Sequence, residues 1–61
     1  MKFKEVVQSL TDEGTDSVDA TLFVTSLMPY QKADQQMLDQ YNIKMDLEEV
    51  NKMLVAYHEG L

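Results

Sequence analysis

The chain contains no cysteine and no arginine, and only one proline, one histidine and two glycines. Without cysteine there is neither a disulfide nor a thiolate metal site, which suits a reducing compartment. A domain of 61 residues buries only about 60% of the surface its unfolded chain exposes. Small domains often gain the missing stability from disulfides, metals or a second subunit. With the first two sources reduced, a partner chain becomes the expected one. Five lysines face eleven acidic residues, for a formal charge of −6. Nucleic-acid binding calls for a basic footprint with arginine as a principal reader of bases, so direct DNA or RNA binding is not expected. Anionic membrane surfaces are disfavoured by the same sign. Long apolar runs are also missing. No stretch approaches the roughly 20 apolar residues of a membrane span, and the opening MKFKEVVQSL lacks the apolar core of a signal peptide. A soluble cytoplasmic protein is the expectation.

What is present is helical periodicity. Phe3, Val6, Val7 and Leu10 fall at i, i+3, i+4 and i+7, which predicts a first helix over about 2–12. Gly14 is suited to end it, and Thr15 or Asp16 to cap the next. That next segment, Val18–Met28, is the most apolar in the chain and is read as a central, mostly buried helix over 16–28. At 100° per residue Val18 and Leu22 lie on one side, and Ala20, Phe23, Val24 and Leu27 on the other. Such a helix is usually wrapped by others. A strand over 21–27 is the rival reading, because the segment is rich in β-branched residues, but no obvious partner strand exists. Pro29 ends or bends this helix and fits the first position of a third, expected over 29–41. Tyr30, Ala33, Met37, Leu38 and Tyr41 share its apolar face, and Asn42 is a suitable C-terminal cap. The fourth helix, over 46–59, opens with Asp46 and Glu49 in a capping-box arrangement, with Met45 and Val50 placed for a hydrophobic staple. Leu47, Val50, Leu54 and Tyr57 run along one face, flanked by Met53, and Gly60 stops the helix. With loops of three to five residues, sequential helices should be neighbours. The expected fold is all-α, a single compact domain of about four short helices, with homodimerisation as one way to complete its core.

Gln36–Tyr57 can be drawn as a helix-turn-helix, but the recognition helix would lead with Asp46, Glu48 and Glu49 pointing at phosphates. Asp12, Glu13, Asp16 and Asp19 cluster around Gly14, yet a calcium loop from Asp12 needs glycine at its sixth position and glutamate at its twelfth. Ser17 and Phe23 stand there. The one histidine, His58, falls near a helix C-terminus, where its cation suits the dipole. Ser9, Ser17 and Ser26 lack a nucleophile elbow, and neither a phosphate loop nor an HExxH pair occurs. No catalytic, metal or cofactor site is expected, and the chain is not expected to be an enzyme.

Surface for a partner remains. Five methionines in 61 residues provide adaptable apolar contacts, and tyrosines combine an apolar body with a polar tip. The candidate binding residues are Tyr30, Met37, Tyr41, Met53 and Tyr57, with Glu48 and Glu49 as the acidic complement. The expected function is a non-enzymatic acidic regulator or inhibitor, of the kind a phage or mobile element encodes. Its partner would be another protein offering a basic or apolar groove. The alternatives are a self-associating structural protein and an acidic inhibitor that occupies the nucleic-acid cleft of a host enzyme.

Overall fold

A computed structural model of the chain describes residues 1–27 and 32–60. Among them the chain forms four helices and no strand: α1 Phe3–Asp12, α2 Ser17–Ser26, α3 Gln35–Gln40 and α4 Leu47–Glu59. The radius of gyration is 10.0 Å, close to the roughly 10.5 Å of a compact domain of this length. The accessible surface is 4050 Å2, as for a folded monomer of this mass, about 4,000 Å2.

α1 is capped by the Glu5 carboxylate, which accepts a hydrogen bond from the Lys2 backbone N–H at 2.9 Å. It turns Val6 and Leu10, both fully buried, onto the core. Gly14 adopts φ 103°, a left-handed conformation that costs glycine little. The Gly14 N–H then reaches the Thr11 carbonyl and the Thr15 N–H the Leu10 carbonyl, each at 3.0 Å, which is the Schellman pattern of helix termination. α3 ends the same way. Asn42 takes φ 56°, and the Ile43 N–H bonds the Leu38 carbonyl at 2.9 Å.

Asp16 rather than Thr15 caps α2, accepting from the Val18 and Asp19 N–H groups at 3.0 and 3.4 Å. Thr15 is buried, and its hydroxyl oxygen accepts from the Lys44 N–H at 2.9 Å, tying the two interhelical turns together. The strand reading of 21–27 fails because the segment is helical through Ser26. Threonine is accommodated there by back-bonding: the Thr21 and Thr25 hydroxyls donate to the Ser17 and Thr21 carbonyls, both at 2.8 Å.

Two corrections concern helix placement. α2 is not wrapped on all sides: Ala20, Phe23, Val24 and Leu27 are buried, whereas Val18 is 64% and Leu22 52% exposed. The helix flanked on two sides is α1, which packs on both α2 and α4. The third helix does not run over 29–41. It begins at Gln35, because Asp34 accepts from the Met37 N–H at 2.9 Å and caps it there. Residues 32–34 are not helical, and Asn51 clasps this stretch: its side-chain amide accepts from the Ala33 N–H at 2.9 Å and donates to the Ala33 carbonyl at 3.2 Å. α3 is six residues long. Met28, Pro29, Tyr30, Gln31 and Leu61, and the expectations placed on them, lie outside the described residues.

α4 matches its expected span within a residue and buries Val50, Met53, Leu54 and Tyr57. Asp46 caps it through the Glu48 N–H at 3.1 Å. The reciprocal arm of the capping box is replaced by a different contact, since the Glu49 carboxylate lies 3.9 Å from the Lys52 ammonium. Gly60 is right-handed, with φ −78°, so conformational freedom is not why glycine stands there. A Cβ at this position would fall on the backbone nitrogen of Met1. Every buried side-chain nitrogen or oxygen among the described residues has a hydrogen-bond partner.

Candidate docking surface

The seven residues expected to bind a partner do not form one surface. Tyr30 lies outside the described residues. Met37 and Tyr41 come together, half-buried, around a hollow of about 190 Å3 shared with Phe23, Ser26, Leu27 and Gln40. There the Tyr41 ring tilts against Phe23 with centroids 5.8 Å apart, and the Tyr41 hydroxyl bonds the Ser26 hydroxyl at 2.8 Å. Tyr41 is therefore engaged in joining the end of α3 to α2, and Met37 lines the hollow beside it. Met53 and Tyr57 belong to the core, at 8% and 5% exposure. Glu48 and Glu49 are exposed at the start of α4, within 3.7 and 3.9 Å of Lys52. Ion pairs this exposed contribute little.

The residues that do stand open are on α2. Val18 and Leu22 are one helical turn apart and point away from the buried Ala20–Phe23–Val24 side, in a strip they share with Thr21 and Thr25. Asp19 is the one charged residue in Ser17–Ser26, and it lies off this strip. The back-bonded threonine hydroxyls already have acceptors, so the strip combines two aliphatic side chains with hydroxyls whose donors are satisfied. Beside it, between α1 and α2, runs a shallow groove of about 350 Å3 lined by Phe3, Val7, Thr11, Ser17 and Thr21, with Lys4 and Gln8 on its rim. Ridge and groove together make one largely uncharged face on the α1–α2 hairpin. The sequence carried the signal for this face in the two-sided hydropathy of α2. What it did not show was the capping role of Asp34, which starts α3 at Gln35.

Other surfaces offer less. Val55 is 51% exposed on α4 but is followed and preceded on that side by polar residues. A third hollow, about 340 Å3, lies among Met1, Ser9, Met45, Glu49, Lys52 and Met53. Among the described residues, no three histidine, aspartate or glutamate side chains are grouped to hold a metal ion, and no helix is long and apolar enough to cross a membrane. No family model, curated protein or solved structure matches this chain.

Proposed function

We propose that this protein is a non-enzymatic protein-binding module, a small acidic regulator that docks through the outer face of its α1–α2 hairpin. The observation that carries this reading is the pairing of Val18 and Leu22, 64% and 52% exposed, on an uncharged strip of a chain that is 26% charged. Single exposed aliphatic residues are ordinary on protein surfaces, whereas contiguous apolar patches mark interaction sites. Here the patch is continuous with the groove beside it.

The placement of the acids favours apolar docking over charge-led inhibition of a nucleic-acid enzyme. Glu5, Asp16, Asp34 and Asp46 each accept a backbone N–H at the start of one of the four helices. Asp12 and Asp39 accept from Gln8 and Gln35 on their own helices. These six serve local structure at scattered points and do not line one face, as mimicry of a nucleic-acid backbone would require.

The test is photo-crosslinking in the native host, with a benzophenone side chain at position 22 and, as control, at the exposed Gln36 of α3. Protein adducts formed from position 22 and not from 36 are expected. Equal or absent crosslinking at the two positions overturns the reading.

A further inference from the structure

Resting on the docking face just proposed, we infer that its occupant is a second copy of this chain, packed antiparallel about a twofold axis. The first ground is shape. The face presents a ridge, Val18 and Leu22, directly beside a groove floored by Phe3 and Val7. Helices pack by laying ridges into grooves, and a twofold axis requires a surface to complement itself. With two hairpins antiparallel, the α2 ridge of each copy lies over the α1–α2 groove of the other.

The second ground is charge. The hairpin is dipolar: Lys4 lines the groove near the start of α1, while Glu13 and Asp16 lie in the turn between α1 and α2. Lys4 and Asp12 are separated by eight helical residues, about 12 Å along the axis. In the antiparallel arrangement α1 of one copy runs parallel to α2 of the other, so Lys4 meets the acidic end of the second copy, twice per dimer. The uncharged middle brings no like charges together. The same charges run against local helix energetics, which favour acids at a helix N-terminus and bases at its C-terminus. α1 carries Lys2 and Lys4 at its start, with only Glu5 of the favoured sign, and ends on Asp12 and Glu13 with no basic residue in its last turn.

The third ground is area. Specific interfaces begin near 600 Å2 per partner, roughly one seventh of the 4050 Å2 surface of this molecule. An interface at this lower limit belongs to the weak, transient class.

Sedimentation velocity of the full chain from 1 µM to 1 mM (a range of about the scale such interfaces require) tests this, with circular dichroism confirming the fold of each variant. A reversible dimer is expected. Leu22→Lys and Val18→Lys, both at exposed positions, should each raise the dissociation constant at least tenfold without loss of helicity. Lys4→Glu and Glu13→Lys should each weaken the dimer severalfold, and the double variant should recover most of the loss. Both charge changes agree with the α1 dipole, so weakening cannot be ascribed to unfolding. A chain that stays monomeric at 1 mM overturns the second copy. A dimer insensitive to Leu22→Lys and Val18→Lys, or a charge-swapped double variant as weak as the sum of its parts, overturns it equally. The in-host crosslinking at position 22 separates the two proposals: a monomer that still crosslinks to another protein there retains the docking face and loses only the second copy.

Discussion

α2 and α4 bury nearly the same kind of face and expose opposite kinds. Each is started by an aspartate cap, Asp16 and Asp46. Each directs four apolar positions at the core, Ala20, Phe23, Val24 and Leu27 in and beside one, Val50, Met53, Leu54 and Tyr57 in the other. On the solvent side α4 shows Glu48, Glu49, Lys52 and Glu59, with Val55 and the small Ala56 among them. α2 shows Val18, Thr21, Leu22 and Thr25. A helix that only had to fold would be expected to look like α4. The aliphatic side chains on the far side of α2, Val18 and Leu22, contribute little to the monomer's core.

The largest expected effect separates two neighbours on α2. Phe23→Ala removes a fully buried ring and should cost about 3–5 kcal/mol, much of the stability of so small a domain. Leu22→Ala, one residue earlier and half exposed, should stay within about 0.5 kcal/mol. Urea denaturation followed by circular dichroism measures both. Equal costs would erase the distinction between an inner and an outer face. Next is Asn51→Ala, which strips both partners from the Ala33 peptide groups and should cost about 2 kcal/mol. Hydrogen exchange of the Ala33 amide should accelerate by more than global destabilisation accounts for. If it does not, the clasp is not what keeps this segment out of α3.

Gly14→Ala forces a side chain into a left-handed conformation at φ 103° and should cost about 1–2 kcal/mol. The strain is conformational, since the nearest atoms to a Cβ there are those of Lys44, at 3.8 Å. Asn42→Gly, at the equivalent point of the α3 turn, should be neutral within about 0.5 kcal/mol, because asparagine tolerates φ 56° less well than glycine but better than other residues. Smallest of the set is the contrast at the start of α4. Asp46→Ala should cost about 1 kcal/mol through loss of the cap. Glu49→Gln should cost less than about 0.5 kcal/mol, since Glu49 shares only exposed contacts with Lys52. A larger effect at Glu49 than at Asp46 would restore the full capping box.

Legibility followed the range of the interaction. The caps at Asp16 and Asp46, the left-handed residue at Asn42, and the buried stripes of α1 and α4 were all readable, because each depends on residues within a turn or two of one another. The third helix was misplaced because Asp34 reads equally well as a solvent-facing residue of a long helix and as the cap of a short one. Asn51, seventeen residues beyond that cap, decides between them. Among the candidate binding residues, Met53 and Tyr57 are core residues, and residue type does not distinguish a core tyrosine from an interfacial one. Val18 and Leu22 read as one side of an apolar helix, and nothing local indicates how much neighbouring helix is available to cover that side.

By itself, then, the sequence determined the helical class, the spans of α1 and α4, the start of α2, the acidic balance and the lack of thiol chemistry. Helical periodicity, capping and charge are properties of short segments. Only the tertiary structure decided that α3 is six residues long, that Thr15 and Asn51 serve as distant hydrogen-bonding anchors, and that α2 keeps one apolar side open. Burial on a helix with two apolar sides is settled by which other segments reach it, and that depends on contacts between residues far apart in the chain.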